Sequence, residues 1–462
     1  MRDGDRFEIE LPNSVVTVLE ALAADGREAV LVGGCVRDLL RGTTPGDWDV
    51  ASSLPPDQVA QLFPGSSWEN RFGTVTVHLD DDDRGIEVTT FRTEGAYRDR
   101  RRPEEVRWGT SLTEDLARRD FTINAMAWLS EEPKSGVGRL VDPYAGAADL
   151  EARVLRAVGD PDARLAEDAL RLLRAARFAA RFELAIDPAT QAAIVRNASA
   201  AATLSGERVH DELRRIVSDP TPPSAAFLLM ERLGLLSVLL PELAALRSVP
   251  QAKNLPGDAL EHSLRTADAL PASDPVLRLA GLLHDLGKAS TLDAGHFIGH
   301  DSVGAELADA LLRRLRAPSA EISRVARLVR QHMFAYGPEW TAAAVRRFVR
   351  RVGVDLLGDL FALRAADDTA SGFVSPAEGG LAELQRRAFA AVADDPLDAR
   401  HLAVDGHILV AELGIPPGPE VGRLLSALLE AVIDDPSLNT RERLVGLARG
   451  WADGAAPLTD PS

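Results

Sequence analysis

The sequence predicts an α+β protein in which a small mixed head precedes a long all-helical body. Three observations predict it. β-Branched runs fall before about residue 145, and from Leu150 onward Ala, Leu and Arg recur at helical spacing with almost no strand signal. Breaker segments then cut the second part into helical blocks: DPTPPS at Asp219–Ser224, VPQAKNLPGD at Val249–Asp258, SGFVSPAEGG at Ser371–Gly380 and GIPPGP at Gly414–Pro419. The blocks divide the chain into a head (1–148), a helical neck (149–250), a third domain (251–372) and a helical tail (373–462). The last residues, GAAPLTDPS, read as a disordered end.

In order along the head, a helix from Asn13 to Ala24 leads into the short apolar strand Ala29–Val32. A glycine pair and a second helix follow, and later strands are expected at Thr74–Leu79 and Gly85–Thr90. At 462 residues and 45% hydrophobic content, several cores are affordable. The single cysteine, Cys35, excludes a disulfide framework and fits a reducing compartment. No run of about 20 apolar residues occurs, and Met1-Arg-Asp-Gly-Asp-Arg lacks the apolar core of a signal peptide. A cytoplasmic protein without membrane partners is expected. The net charge of −18 opposes nucleic-acid binding in bulk, but local clusters escape the average. One is Arg98, Arg100, Arg101 and Arg102; another is the series Arg164, Arg171, Arg174, Arg177 and Arg181.

The central motif is LVGGCVRDLLRGTTPGDWDVAS, Leu31 to Ser52. Asp47 and Asp49 are two apart, so on a strand their carboxylates share a face while Trp48 points away. Paired carboxylates suit two Mg²⁺ ions, which prefer carboxylate, water and phosphate oxygens and can activate a hydroxyl and neutralise a leaving pyrophosphate. Gly33 and Gly34 sit at a strand-to-helix turn, where backbone can approach a phosphate, and Arg37 one turn later is placed to clamp a triphosphate. Alone, D-x-D is a common acidic loop and G-G a common turn. Their order and spacing carry the signal.

This segment resembles the signature of the nucleotidyltransferases that include bacterial poly(A) polymerases and CCA-adding enzymes. Further stretches match that family in order: FGTVTV at Phe72–Val77, Ile86–Val106, Glu114-Asp115-Leu116 with Arg118–Ala127, VDPYAG at Val141–Gly146, and EDALRLLRAARFAARF at Glu167–Phe182. The resemblance spans roughly residues 28 to 215. It implies a nucleotidyltransferase palm in which Asp47 and Asp49 are metal ligands, Glu87 is a third acidic partner near the attacking 3′-hydroxyl, and Arg119 contacts nucleotide. Asp120 is expected to orient arginines. The partners implied are tRNA, ATP and CTP, and the activity is addition of CCA to the tRNA 3′ end with two Mg²⁺ ions. In the family a mobile loop like TEGAYRDRRRPEEV accompanies addition of the terminal A.

Base choice without a template has a physical reading. Asp168 and Arg171 are three apart on a predicted helix and therefore neighbours on its surface. An Asp accepts from the exocyclic amine of cytosine or adenine, whereas guanine and uracil present a carbonyl there. Arg174 and Arg177 drift by about 60° per step around such a helix, so all four side chains cannot meet one base. The resemblance assigns the later arginines to nucleotide, and phosphate or ribose is the assignment that fits the drift. The bland alternative is a salt-bridged surface helix.

In the third domain His262 precedes LRLAGLLHDLGK, which carries His284 and Asp285. His300, His332 and Asp367 follow. Imidazole and carboxylate placed after apolar helices suit a dry metal cluster. The pattern resembles the HD phosphohydrolase superfamily, which implies His262, His284, Asp285 and Asp367 as four ligands of Mg²⁺, Mn²⁺ or Ni²⁺. His300 and His332 match accessory positions, and Lys288 is placed to contact phosphate. Near the end, Asn439 or Thr440 is a candidate helix cap. The tail is expected to help hold tRNA or a second subunit, a structural hairpin being the alternative. Three rival functions stay open: a poly(A) polymerase or an enzyme adding only A, an HD phosphodiesterase or phosphatase with an RNA-binding head, and a non-catalytic tRNA chaperone. Oligomeric state is not readable.

Overall fold

The computed structural model describes the chain except residues 70–72, 80–81, 95–105, 110, 252, 338, 374–379, 395 and 453–462. The Arg98–Arg102 cluster, most of the TEGAYRDRRRPEEV loop, Phe72 of FGTVTV and the terminal GAAPLTDPS segment lie outside the described residues. The chain forms two units, residues 1–241 and 242–462.

The N-terminal unit opens with strand β1 (Arg6–Glu8), helix α1 (Asn13–Ala23), β2 (Ala29–Val32), α2 (Gly34–Leu40), β3 (Asp49–Ser52), α3 (Pro56–Leu62), β4 (Ser67–Glu69), β5 (Thr74–Leu79) and β6 (Asp82–Thr90). After β7 (Arg92–Glu94), β8 (Val106–Trp108) and α4 (Leu112–Ala117) come β9 (Ala127–Glu132), β10 (Val137–Val141) and α5 (Gly146–Glu151). Among the described residues, eight strands make one sheet in the order β1-β10-β9-β2-β3-β6-β5-β4. β9 and β10 pair antiparallel around a turn with Gly136 at φ +68°, a hairpin that the reading of the sequence missed. Successive side chains of a strand face opposite ways, and the core follows that alternation. Leu31, Val50 and Val88 pack with α1 on one side, while Val30, Val32 and Ala51 pack with Phe91, Leu112 and Leu116 on the other. At the centre β3 runs parallel to β6, with Asp49 opposite Glu87.

The helical neck contributes α6 (Pro161–Glu167), α7 (Leu170–Arg181), α8 (Pro188–Asn197) and α9 (Gly206–Val217). Asp160 caps α6, its side chain accepting from Ala163 N–H with Pro161 in the first turn. Helix α7 buries Leu172, Leu173, Ala175, Ala176, Phe178 and Ala179, an apolar stripe at helical spacing.

Within the described residues, helices make up the C-terminal unit. They include Ala259–Asp268, Pro275–Leu283, His300–Arg314, Ser319–Gln331, Ala342–Val352 and Val354–Ala370. Asp258 and Asp274 cap the first two, accepting from Glu261 and Leu277 N–H. A separate apolar cluster joins Gly406–Leu413, Pro419–Asp434 and Arg441–Ala452. Thr440 caps the last of these helices through Arg443 N–H at 3.4 Å. Among the described residues no helix is long and apolar enough to cross a membrane.

Candidate active site

A cavity of about 890 Å³ lies in the N-terminal unit, lined by Gly34, Arg37, Asp47, Asp49, Arg118, Arg119, Asp120, Asp168, Arg171, Arg174 and Arg177 among others. β3 begins at Asp49, so Asp47 lies just before the strand, on the loop leading into it. Both still line the same cavity. Burial pushes the Asp49 carboxyl up to about 6, and the charges of Glu87 and Asp47 add to it against the pull of Arg119. Clustered carboxylates, one of them half-buried and reluctant to ionise, fit a divalent cation. Glu87 lies across the β3–β6 pairing from Asp49 and is exposed; it is not one of the residues lining the cavity. Cys35 buttresses this corner from α2, its Sγ 3.2 Å from the Val32 carbonyl, and burial pushes its thiol up to about 12.

Gly33 adopts φ +74°, and a side chain there would strike the Arg119 guanidinium. That guanidinium is held by the fully buried Asp115, 3.3 Å away, which also grips Arg118 at 2.8 Å. Arg119 Nη1 donates to the Asn124 carbonyl at 3.4 Å, and its buried Nε has no hydrogen-bond partner among the described residues. Arg37 is buried. It donates to Asn124 Oδ1 at 2.6 Å and to Asp38 at 3.0 Å, and its guanidinium lies 4.2 Å from the Phe182 ring centre.

The expectation that Asp168 sits on a helix beside Arg171 is corrected here. Asp168 has extended backbone (φ −144°, ψ 110°) between α6 and α7. Its Oδ1 accepts from Leu170 N–H at 3.0 Å, so the short acidic side chain satisfies a backbone donor at a helix start instead of continuing the helix. Its Oδ2 accepts from Arg208 of α9 at 2.7 Å. Arg171, in the first turn of α7, pairs with Glu167 and donates to the Arg164 and Arg118 carbonyls at 2.7 and 2.8 Å. Arg174 pairs with Asp120 at 2.7 Å and Arg177 with the buried Glu212 at 2.5 Å. Burial alone would raise the Asp120 carboxyl, but Arg174, Asn124 and the Phe121 N–H hold it down to about 2.

The second cluster belongs to the C-terminal unit. His262 Nε2 lies 3.0 Å from Asp367 and 3.6 Å from Asp285; His284 Nε2 is 3.2 Å from Asp285. His300 and His332 approach Asp285 at 3.5 and 3.8 Å. Nδ1 of His284, His300 and His332 lies 2.8, 2.7 and 2.6 Å from the carbonyl three residues earlier. A carbonyl only accepts, so Nδ1 carries the proton and Nε2 faces Asp285 as a potential ligand. Burial pushes His332 down to about 4, which keeps its imidazole neutral. His300 Nε2 and His332 Nε2 are buried without hydrogen-bond partners among the described residues, an arrangement that fits a metal ion. Lys288 contacts Asp285 at 2.6 Å and Gln251 at 3.0 Å, and Lys253 contacts Asp367 at 3.5 Å.

Comparison with known proteins decides the family. Residues 29–156 match the poly A polymerase head domain, 183–246 the probable RNA and SrmB-binding site of polymerase A, and 259–372 the HD domain. An A-adding tRNA nucleotidyltransferase from Deinococcus radiodurans is 37% identical over 421 residues, covering 87% of this chain and 91% of its own. The chain belongs to the tRNA nucleotidyltransferase and bacterial poly(A) polymerase family. Another family member, the CC-adding tRNA nucleotidyltransferase of Thermus thermophilus, is 36% identical over 93% of this chain and 94% of its own. The crystal structure of the Bacillus stearothermophilus CCA-adding enzyme in complex with CTP superposes with a TM-score of 0.71 and 28% identity, over 96% of this chain and 98% of that one. This nucleotidyltransferase is therefore an α+β enzyme with a palm-like head and an HD domain in its helical body.

Several side chains that shape the cavity were invisible to motif reading. Glu212 and Arg208 come from α9, about 35 to 40 residues after their partners. Asp115 stands inside a matched motif, and its complete burial beside two arginines is what marks it as their anchor. Phe178 and Phe182 stack at 5.9 Å and carry Arg37, Arg174, Arg177 and Arg181 on their faces. The RFAARF spacing was the available signal.

Proposed function

We propose that the chain adds the CCA end to tRNA from CTP and ATP, without a template. The observation that carries the proposal is one cavity bringing Asp47 and Asp49 together with Asp168 and a wall of arginines. In this reading Asp47 and Asp49 hold two Mg²⁺ ions, with Glu87 nearby. Bound divalent ions supply activation of the tRNA 3′-hydroxyl and charge neutralisation on the leaving pyrophosphate. Arg119 and Arg174, fixed by Asp115 and Asp120, meet the phosphates, and Arg177 the ribose or phosphate. Gly33 and Gly34 let the backbone come close, and Arg37 braces the phosphate end. Asp168, which lines the same cavity as Arg171, accepts from the amine of cytosine or adenine and repels the carbonyl of uracil or guanine. The head spans 1–148, the neck 149–250, the HD domain 251–372 and a tRNA-contacting tail 373–462, in a reducing cytoplasm that suits Cys35.

Relatives of similar identity are named for adding A alone and for adding CC, so product length is the test. A tRNA lacking CCA is incubated with CTP, with ATP and with both. Growth by three nucleotides only when both are present supports the proposal. Refusal of CTP with unlimited ATP polymerisation overturns it in favour of a poly(A) polymerase.

The buried cluster supports a second reading, a phosphohydrolase acting on 2′,3′-cyclic phosphate or 2′-phosphate ends. His262, His284, Asp285 and Asp367 would hold Mg²⁺, Mn²⁺ or Ni²⁺, His300 and His332 would flank it, and Lys288 would meet phosphate. A bound metal would supply an activated water. Hydrolysis of 2′,3′-cyclic AMP in each metal tests it, and no hydrolysis with any of the three overturns it.

A further inference from the structure

Base choice by Asp168 requires a carboxylate in one fixed orientation. Nothing in its own backbone supplies that, because the residue lies in the extended link between α6 and α7 rather than on a helix. Two contacts supply it, one on each oxygen. Leu170 N–H holds Oδ1 at 3.0 Å, and Arg208 Nη2 holds Oδ2 at 2.7 Å. Arg208 stands in the first turn of α9, forty positions along the chain. A carboxylate accepts through about four lone-pair sites, so each oxygen keeps capacity for a ligand donor.

A competing cation stands close. The Arg174 guanidinium already feels the charge of Asp168 as well as its own partner Asp120. Without Arg208, Asp168 is free to rotate about its last torsion, which is a broad one, and to turn toward Arg174. The acceptor aimed at an exocyclic amine would then be lost, and with it the repulsion that turns away a carbonyl.

We propose that Arg208 is a positioning residue for nucleotide selection, holding Asp168 so that the amine-bearing bases are preferred over the carbonyl-bearing ones. This rests on Asp168 being the base-reading group. Arg208 touches no substrate in this account; it acts through Asp168. Its side chain is one-third exposed, so replacing it opens no cavity in a core.

The test compares full-length wild type with Arg208→Met, Arg208→Lys and Asp168→Ala. Single-nucleotide incorporation is measured for CTP against UTP on tRNA lacking CCA, and for ATP against GTP on tRNA ending in CC, with thermal midpoints recorded alongside. For Arg208→Met the ratio of kcat/KM for CTP over UTP is expected to fall about tenfold, the scale of one charge-assisted hydrogen bond. The loss of CTP efficiency should sit mainly in KM. Arg208→Lys, which keeps a cation within reach of Oδ2, should recover part of the ratio. A merely structural role predicts equal losses for CTP and UTP with the ratio unchanged, and that result overturns the proposal. If Asp168→Ala collapses the ratio while Arg208→Met leaves it intact, Arg208 is excluded and base reading by Asp168 survives. If Asp168→Ala itself leaves the ratio intact, both fall.

Discussion

Binding of Mg²⁺ to the head should expel a proton at mildly acidic pH and none at alkaline pH. The Asp49 carboxyl is pushed from its ordinary 3.8 up to about 6, by burial first and by Glu87 and Asp47 after it. That shift disfavours the ionised form by no more than about 3 kcal/mol. The sign follows from linkage. Because the folded value lies above the unfolded one, the metal-free chain loses stability as pH rises from 3.8 through about 6, and loses no more above that. A divalent cation needs the ionised carboxylate and so displaces the proton. At pH 5.5 a large share of the Asp49 carboxyls is protonated and at pH 8 almost none, so titration with Mg²⁺ should release up to about one proton more from wild type than from Asp49→Asn at pH 5.5 and the same number from both at pH 8. Calorimetry in two buffers of different ionisation enthalpy reads this number directly. Glu87→Gln removes one of the neighbouring charges and should move the release to lower pH. Asp49→Asn should abolish that excess and nucleotide incorporation with it. Equal proton release from wild type and Asp49→Asn at pH 5.5 refutes the reasoning.

Three further outcomes are expected. Gly33→Ala combines a positive φ with a side chain driven into Arg119; it should lower stability by about 1–2 kcal/mol and incorporation at least about 100-fold, read by thermal melting and single-turnover assays. Asp120→Asn removes a carboxylate held down to about 2. Its stabilising effect is present above 3.8 and lost as pH falls toward 2, so the variant should lose about 2 kcal/mol at neutral pH, and the gap in urea midpoint from wild type should close as acid is added. Asp285→Asn and His284→Ala should abolish metal-dependent hydrolysis of 2′,3′-cyclic AMP while leaving CTP and ATP incorporation unchanged, measured side by side on one preparation.

Motif reading reached the parts of the molecule whose chemistry is local. The strand Ala29–Val32, the Gly33-Gly34 turn and the strand Thr74–Leu79 follow from β-branched runs and glycine alone, and they occupy the expected residues. The HD cluster was legible because His262, the HDLGK motif and Asp367 follow one another in the order of the HD superfamily; the carbonyls that orient His284, His300 and His332 were not. Helix period failed at Asp168. The run EDALRLLRAARF is helical in composition throughout, yet the competing hydrogen bond that Leu170 N–H donates to the Asp168 side chain ends one helix and starts another. The β9–β10 hairpin was missed because Trp128 to Glu132 mixes apolar and acidic residues without clean alternation; its neighbours in the sheet supply what its own pattern lacks. The anchors Glu212 and Arg208 depend on how α9 packs, and nothing local to either residue reports that.

The arginines also resolve the conflict between a strongly acidic chain and a polyanionic substrate. Among the described residues eight arginines line the cavity with five carboxylates, Asp47, Asp49, Asp120, Asp168 and Asp219; Asp38, Asp115, Glu167 and Glu212 pair with those arginines, and Arg41, Arg164 and Arg208 pair in turn with Asp38, Glu167 and Asp168. Eleven arginines against nine carboxylates leave the metal-free cavity only mildly positive, whatever the total of −18 for the whole chain. Tethered arginines are poor electrostatic bait but well-oriented donors, because the cost of ordering each guanidinium has already been met by folding. A nucleoside triphosphate carries about four negative charges, which two divalent ions would cancel. Such a cavity favours neither one alone: triphosphate without metal adds uncompensated charge beside Asp47 and Asp49, and metal without triphosphate meets the raised Asp49 and the nearby Arg119. The arrangement favours arrival of nucleotide and metal together, with the arginine donors left to read shape rather than to supply bulk attraction.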